Sequence, residues 1–381
     1  MSFKLKMIPL AGAMTLAFAG STMAQEMIVK IGHVGPVSGV TAHLGKDNEN
    51  GAKMAIEELN AKGVMIGGKK VKFQLLAEDD GGDPKQGTTV AQKLVDAKVN
   101  GVIGHLNSGT TIPASSIYNA AGIVQISPSA TNPKYTEQRF AGAFRVVAND
   151  KQLGGALGRY AVEVNKAMKV AVIDDKSAYG EGVANEFKKG VKSKGGQIII
   201  QEHTTDKSTD FSAILTSIKA KKPDVIFFGG MDAVAGPMLR QMKALGITSK
   251  FMGGDGMCTI KLAELAGDSI GEGNVICAEA GGVVDAQKKG MDDFKAAYKK
   301  KFGVDVQIYA PYVYDSVMVM VEAMKQANSA ESAKYLPMLK KMKYKGVTGD
   351  IAFDEKGDIK DGTLTFYTYK GGKRELVSVV K

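Results

Sequence analysis

The sequence lacks a long apolar segment after residue 24. No stretch there approaches the roughly 18 uninterrupted apolar residues that identify a membrane-spanning helix. Hydrophobic residues make up 44% of the chain and charged residues 24%, which is typical of soluble globular proteins. We therefore expect a soluble protein with no stable insertion into a membrane.

Histidine is scarce, and the pattern that metal binding requires is missing. The sequence has four histidines, His33, His43, His105 and His203, and none lies at metal-ligand spacing from another His or from a Cys. Structural and catalytic zinc sites depend on such spacing. The sequence therefore predicts no metal site, and no motif in it indicates a cofactor.

Catalytic motifs are missing as well. Residues 63–69 match most of a phosphate-binding loop, but Lys70 stands where Ser or Thr would bind Mg²⁺. This stretch follows a predicted helix and precedes a predicted strand, the reverse of the required order, so we interpret it as a helix C-cap and a hairpin-like turn. No G-x-G-x-x-G motif follows a strand, and Ser108 lacks the G-x-S-x-G elbow. The sequence therefore gives no support to a nucleotide-dependent enzyme or a hydrolase.

Cysteine occurs only at Cys258 and Cys277. An oxidising compartment would allow the two to pair, but the sequence does not show whether their Cα atoms lie within disulfide reach. The disulfide therefore stays open at this point. Because the first Cys is so far along the chain, lipid attachment near the N-terminus is not expected.

The N-terminal segment has the layout of a secretory signal peptide. Lys4 and Lys6 precede an apolar stretch over residues 7–19, and small residues at 22 and 24 precede Gln25. The alternative is a membrane anchor, but the apolar stretch is shorter than the ~20 residues that span a bilayer. We expect cleavage after Ala24 and a periplasmic protein.

Length and charge narrow the class further. The chain has 381 residues. The part that follows the predicted signal peptide is too long for a single hydrophobic core and is typical of two domains. The formal charge is +10, and its lysine pairs are scattered without interleaved aromatics. This pattern favours solvated helix ends over a nucleic-acid surface.

Short apolar strands alternate with amphipathic helices along the chain. One series begins with a strand at residues 28–34, and a second begins after Arg145 with a strand at residues 169–173. Such alternation is typical of mostly parallel sheets built from βαβ units. The end of the chain departs from this alternation: three predicted helices follow one another and are succeeded by short strands, with a turn at residues 370–372. We therefore predict an α/β protein with two doubly wound lobes.

Three loops rich in small or hydroxyl-bearing residues follow predicted strands, at residues 104–111, 127–131 and 253–256. Ligands of open α/β sheets bind beyond the carboxyl ends of the strands, where helix N-termini favour anions. Asp255 adds one negative charge among glycines. These loops could hold a carboxylate and an ammonium together, or they could be helix caps and turns only.

At these loops the chain becomes similar to the periplasmic substrate-binding proteins of branched-chain amino acid ABC transporters, over nearly its whole length after the predicted signal. The matching segments are residues 79–80 with 83–86, 102–106, 113–115, 175–176 with 179–182, 229–230, 239–241 and 354–358. The resemblance implies two α/β lobes that are joined by three crossings and close on a ligand. It implies lobes of residues 25–148 plus 279–356 and of residues 149–278 plus 357–381.

The resemblance also implies the ligand contacts. Ser108 and Thr131 match positions that hold an α-carboxylate, and Ser129 sits where a backbone carbonyl takes the ammonium. Asp255 replaces the usual Glu that pairs with the ammonium, and its reach is one methylene shorter. The complete set of expected ligand-binding residues is Leu44, Leu106, Asn107, Ser108, Ser129, Ala130, Thr131, Tyr179, Met231, Asp255 and Tyr309.

Three departures from the family pattern bear on the substrate. Met231 stands where a Tyr lies beside the carboxylate, and Leu44 replaces an aromatic wall residue. Gly82 and Asn107 occupy the two positions that form a disulfide in the leucine-binding proteins, so that bond is absent. With Leu44 and Met231 we expect a pocket that is more apolar than the family pattern suggests.

The resemblance implies a monomeric, non-enzymatic receptor that delivers an α-amino acid, branched-chain, aliphatic or amide-like, to a membrane permease. The alternative is the same fold with an aromatic or other organic acid that has no ammonium. Asp255 argues against this alternative, because a buried carboxylate without a cation is costly.

Overall fold

The computed structural model describes residues 1–2, 26–271, 273–283 and 285–380, with the side chains of 285 and 286 left out. Most of the predicted signal peptide and its cleavage site lie outside the described residues. Within the described part of the chain, no helix is long and apolar enough to cross a membrane.

Strands and helices alternate as the sequence predicts. The strands are β1 (Met27–Gly35), β2 (Met65–Ile66), β3 (Lys69–Asp79), β4 (Gly101–Gly104), β5 (Gln125–Ser127), β6 (Ala143–Arg145), β7 (Lys169–Asp174), β8 (Gln197–His203), β9 (Val225–Gly229), β10 (Lys250–Gly253), β11 (Val275–Glu279), β12 (Tyr344–Gly346), β13 (Gly349–Ile351), β14 (Leu364–Lys370) and β15 (Lys373–Val380). The helices are α1 (Ala42–Lys62), α2 (Pro84–Asp96), α3 (Ser108–Ala120), α4 (Lys134–Glu137), α5 (Asp150–Glu163), α6 (Ala178–Ser193), α7 (Ser212–Lys221), α8 (Asp232–Ala244), α9 (Lys261–Ala266), α10 (Asp285–Phe302), α11 (Ala310–Gln326) and α12 (Ser332–Lys340).

Local signals account for several of these boundaries. The side chain of Asp83 accepts a hydrogen bond from the Gln86 N–H and caps α2, with Pro84 as its first residue. Gly63 ends α1 in the left-handed conformation, and β2 and β3 form an antiparallel hairpin directly after it. The stretch that resembles a phosphate-binding loop is therefore a C-cap and a tight turn, as predicted.

Two sheets form the centres of two lobes. The first has the order β2-β3-β1-β4-β5-β6, and β1, β3, β4, β5 and β6 run parallel. The second has the order β15-β14-β11-β10-β9-β7-β8; β14 and β15 are antiparallel and the others parallel. The predicted fold of two doubly wound lobes is confirmed.

The chain passes between the lobes three times, and the crossings lie side by side. The first crossing follows β6, the second follows β11, and the third precedes β14. The Ala148 N–H donates to the Ala280 carbonyl at 2.9 Å, and the Arg145 N–H donates to the Gly357 carbonyl at 2.8 Å. These bonds join the first crossing to the other two. The exact lobe boundaries remain predictions.

The last helices return to the first lobe. Helix α11 packs against α1, where a Cβ added at Gly51 would lie 2.3 Å from the Ala310 carbonyl oxygen. Glycine is therefore required for this close approach. The contact holds Tyr309, just before α11, in the first lobe.

Candidate functional site

Two loops of the first lobe carry most of the predicted hydroxyl donors. The loop after β4 leads into α3 at Ser108, and the loop after β5 contains Ser129, Ala130 and Thr131. Their strands are adjacent and parallel, so both loops emerge at the same edge of the sheet. The Ser129 hydroxyl donates to the Leu106 carbonyl at 3.0 Å and ties the loops together.

Arg145 holds the second of these loops from beneath. Its Nη1 donates to the carbonyls of Ala130 and Asn132 at 2.8 and 2.9 Å, and its Nε and Nη2 donate to Asp358. Nη2 also donates to the Thr136 hydroxyl. The guanidinium has five N–H donors, and these contacts use all of them, so the loop backbone is fixed.

The hydroxyls of Ser108 and Thr131 remain available as donors. The Ser108 Oγ accepts a hydrogen bond from the Asn132 N–H at 3.2 Å, which leaves its own proton free. The Thr131 Oγ1 is buried and makes no hydrogen bond of good geometry among the described residues, although its hydroxyl lies near enough to the Asp150 carboxyl to lower the pKa of that group. The hydroxyls of Ser108, at the start of α3, and of Thr131 could therefore donate hydrogen bonds to the carboxylate of a ligand.

Asp255 lies in the second lobe, in a short turn after β10, and is 1% exposed. Its Oδ1 accepts from the Tyr179 hydroxyl and its Oδ2 from the Tyr309 hydroxyl, both at 2.8 Å. The Gly256 N–H in turn donates to the Tyr179 hydroxyl oxygen at 2.9 Å. A Cβ at Gly254 would lie 2.6 Å from the Tyr179 hydroxyl oxygen, so glycine allows the tyrosine to reach the carboxylate.

Burial dominates the electrostatics of this cluster. It raises the pKa of Asp255 to about 6, although the hydrogen bonds from Tyr309 and Tyr179 act in the opposite direction. Burial, and then the charge of Asp255, raises the pKa of both tyrosines well above their usual value. The tyrosines therefore stay protonated and donate, and no described residue supplies a cation to the Asp255 carboxylate.

Tyr309 is placed by a residue of the first lobe that the sequence did not single out. The buried Asp47 carboxylate in α1 accepts backbone hydrogen bonds from residues 307–310, including Tyr309 N–H at 2.9 Å. It fixes the segment that precedes α11. Tyr309 thus extends from this lobe to Asp255 of the other lobe.

The predicted apolar residues belong to the same hydrophobic core as Tyr179 and Tyr309. Leu44 is fully buried in the first turn of α1, and Leu106 is 2% exposed. Met231 is half-buried at the start of α8, and its sulfur would lie 2.8 Å from a Cβ at Gly256. That these three residues contact the side chain of the ligand stays a prediction.

The predicted residues divide between a cleft and a layer beneath it. Asn107, Tyr179 and Met231 line a cleft of about 700 Å³ between the lobes. Tyr179 is also almost completely buried, as are the eight residues outside the cleft lining: Leu44, Leu106, Ser108, Ser129, Ala130, Thr131, Asp255 and Tyr309. The hydrogen bond from Tyr309 to Asp255 joins the two lobes within this buried layer.

Asp150 is a buried acidic residue that sequence reasoning missed. It is the first residue of α5, is 0% exposed, and neither carboxylate oxygen makes a hydrogen bond of good geometry among the described residues. Burial and the charge of Asp255 raise its pKa well above the usual value. The favourable helix dipole is worth at most about 2 kcal/mol, whereas burying an unpaired charge costs several kcal/mol. From the sequence alone, Asp150 would be interpreted only as part of a helix cap.

A contact between the lobes was also missed. The His43 Nε2 lies 2.7 Å from Asp232 Oδ2, and the same oxygen accepts from the Thr259 hydroxyl at 2.6 Å. His43 precedes Leu44 in the first lobe, whereas Asp232 follows Met231 in the second. The pair therefore lies beside two predicted pocket residues. The contact between His43 and Asp232 could not be predicted from the sequence, because it forms only where the two lobes approach each other.

The two cysteines are joined in the structure, with Cα atoms 5.4 Å apart. The disulfide connects the turn after Asp255 to β11. Among the described residues, no group of three or more His, Cys, Asp or Glu side chains could hold a metal ion.

Comparison with known proteins gives matches over nearly the whole chain. The family model described as periplasmic binding protein matches residues 28–373. The Leu/Ile/Val-binding protein homolog 1 of Brucella abortus is 38% identical over 367 residues, which cover 94% of each chain.

Solved structures share the two-lobe fold. The branched-chain amino acid transporter substrate binding protein LivJ of Streptococcus pneumoniae, in complex with isoleucine, has a TM-score of 0.82 at 29% identity, and the match covers 92% of this chain and 99% of that one. A solute binding protein of an ABC transporter from Rhodopseudomonas palustris, in complex with 3,4-dihydroxy benzoic acid, has a TM-score of 0.80 at 25% identity over 93% and 98% of the two chains. The predicted family resemblance is confirmed.

Proposed function

Because the chain belongs to the periplasmic binding protein family, we propose that it is an extracytoplasmic receptor for a branched-chain, aliphatic or amide-like α-amino acid. It captures this ligand and delivers it to the membrane permease of an ABC transporter. It acts as a monomer and without chemical turnover.

The observation that carries this proposal is the buried Asp255 carboxylate, which accepts hydrogen bonds from Tyr179 and Tyr309 and has no cation partner among the described residues. The ligand ammonium pairs with Asp255, and the α-carboxylate accepts from Ser108 and Thr131. The cation removes the cost of a buried unpaired charge. A ligand that contacts both lobes favours the closed state, because it gains these contacts only there.

An organic acid without an ammonium is the second candidate. It is favoured by the Rhodopseudomonas palustris protein in complex with 3,4-dihydroxy benzoic acid and by the apolar Met231 and Leu44. Such a ligand would leave Asp255 buried without a cation. The amino-acid reading is therefore the stronger one.

A thermal-shift panel on refolded, ligand-free protein separates the two candidates. The panel contains the twenty amino acids, benzoate and 3,4-dihydroxybenzoate. A compound at 100 times its Kd stabilises the protein by about 2.7 kcal/mol. We expect aliphatic amino acids to raise Tm; stabilisation by the aromatic acids alone would replace the first proposal with the second.

Closure and export are tested separately. Small-angle scattering should give a smaller radius of gyration with a saturating amino acid, and identical curves with and without it would contradict the hinge motion. Unchanged amino acid after prolonged incubation supports a receptor without turnover. Mass spectrometry of the exported protein should place the new N-terminus at Gln25, since cleavage follows Ala24.

A further inference from the structure

The disulfide closes the turn that carries Asp255. Strand β10 ends at Gly253, which is paired in the parallel ladder with Cys277 of β11. The chain then turns through Asp255 and returns at Cys258, whose sulfur is bonded to Cys277. The disulfide therefore fixes the far end of the turn to the strand that lies beside its near end.

Side chains of the C-terminal hairpin β14–β15 hold the same segment. The Tyr369 hydroxyl donates to the Thr259 carbonyl at 2.7 Å, and the Arg374 Nη1 donates to the Cys258 carbonyl. Arg374 also pairs with Glu279 at the end of β11. We call the disulfide, Tyr369 and Arg374 the turn clamp, since all three hold the backbone that directly follows the turn.

The turn has little stability of its own. Gly254 and Gly256 flank Asp255, and glycine leaves a backbone more conformational freedom than any other residue. The Met257 N–H donates to the Gly254 carbonyl at 3.4 Å, which is a long hydrogen bond. Burial raises the pKa of the Asp255 carboxyl, so the ionised carboxylate is favoured towards water. A turn without external support would therefore let this carboxylate leave its buried position.

We propose that the turn clamp positions Asp255 for the ligand ammonium, and that the protein reaches full ligand affinity only after the disulfide has formed. The bond forms by thiol–disulfide exchange: the two cysteine thiols give up two protons and two electrons to a disulfide oxidant, which becomes a dithiol. Thiols stay reduced in the cytoplasm, whereas the periplasm is oxidising, so high-affinity capture follows export. This inference rests on the proposed function.

The first experiment removes the disulfide. Leucine is titrated calorimetrically into wild type, into the double variant Cys258→Ala with Cys277→Ala, and into wild type refolded and kept in excess dithiothreitol, all below Tm. Leucine affinity should fall by at least about tenfold in both disulfide-free forms, because a charge pair loses much of its strength when its geometry is lost. The oxidised wild type should bind with full affinity.

Loss of a disulfide also lowers stability, so a control for stability is needed. Leu215 is fully buried in the same core cluster as both cysteines but lies on α7. Leu215→Ala should lower Tm through the cavity that it leaves and should leave leucine affinity unchanged. A disulfide with a purely structural role would behave in the same way as Leu215.

A double-mutant cycle tests whether the clamp acts through Asp255. In the Asp255→Asn background the ammonium has no carboxylate partner to lose. Removing the disulfide there should change leucine affinity by less than about twofold, which is the usual deviation from additivity. General loosening of the lobe would instead lower leucine affinity by the same factor in both backgrounds.

Tyr369→Phe tests the clamp with the disulfide intact. It removes only the hydroxyl that donates to the Thr259 carbonyl, and leucine affinity should fall about two- to fivefold, the effect of one hydrogen bond. Tyr335→Phe is the matched control, because the buried Tyr335 hydroxyl donates to the Asn100 carbonyl at 2.8 Å, next to β4 of the first sheet. It should leave leucine affinity unchanged.

Four outcomes would overturn the inference. They are full leucine affinity in the disulfide-free forms, an equal loss in Leu215→Ala, an equal loss with and without the Asp255 carboxylate, and equal affinities in Tyr369→Phe and Tyr335→Phe. If the disulfide-free forms do not fold, the two tyrosine variants decide. A wild type that binds no amino acid would refute the proposed function and this inference with it, whereas binding that is indifferent to the clamp refutes only this inference.

Discussion

Replacing Asp255 with asparagine removes the charge at the centre of the proposed site and keeps its shape. Asp255 is fully buried and accepts 2.8 Å hydrogen bonds from Tyr179 and Tyr309. Asparagine retains one acceptor oxygen and presents a donor in place of the other. Breaking a buried charge pair costs about 3–5 kcal/mol, so leucine affinity should fall between roughly 10² and 10⁴-fold.

The pH dependence has opposite signs for binding and for stability. Burial raises the pKa of Asp255 from 3.8 to about 6, so the ligand-free native state holds this proton more tightly than the unfolded chain. Its stability should therefore decrease as pH rises from about 4 to about 6, by about 3 kcal/mol. Leucine binding needs the ionised carboxylate, so affinity is fully present above about pH 6 and is lost below it.

Calorimetric titration of leucine between pH 5 and 8, on wild type and Asp255→Asn, measures both effects. Burial also raises the pKa of Asp315 to about 6, so Asp315→Asn is the control: it should change the pH dependence of stability but not leucine affinity. Full leucine affinity in Asp255→Asn, or a wild-type affinity that does not fall towards pH 5, would refute the ammonium pairing.

The remaining predictions concern the carboxylate donors, the pocket wall and the contact between the lobes. Ser108→Ala or Thr131→Ala removes a charge-assisted donor worth about 1.5–3 kcal/mol, so titration should show a similar loss for every amino acid; a new order of preference at full affinity contradicts this role. Met231→Tyr should shift preference in the thermal-shift panel towards smaller side chains, and an unchanged order means that Met231 does not face the ligand. His43→Ala breaks the contact with Asp232 and should weaken leucine binding by roughly two- to tenfold. His43→Gln keeps a donor and should bind as wild type; equal loss in both variants would show that the contact itself is unimportant.

Local patterns in the sequence were enough to predict the fold. Alternating strands and helices indicate parallel sheets, and the small hydroxyl-rich loops after β4, β5 and β10 follow strand ends. Because parallel strands end at a common edge, loops far apart in sequence could be placed together. The cap at Asp83 and the turn after β14 were also predictable, since they depend on neighbouring residues alone.

The tertiary structure alone decided what surrounds those loops. Asp47 fixes the segment of Tyr309 from across 262 residues of sequence, and His43 meets Asp232 only where the lobes approach each other. Asp150 looks like an ordinary helix-start residue until packing buries it without a hydrogen bond of good geometry. Hydrogen-bonding patterns along a chain follow from nearest neighbours, but burial and the pairing of charges depend on segments that meet only after folding. The sequence therefore determined the two lobes and their loops, whereas packing determined which charges are buried and which groups they meet.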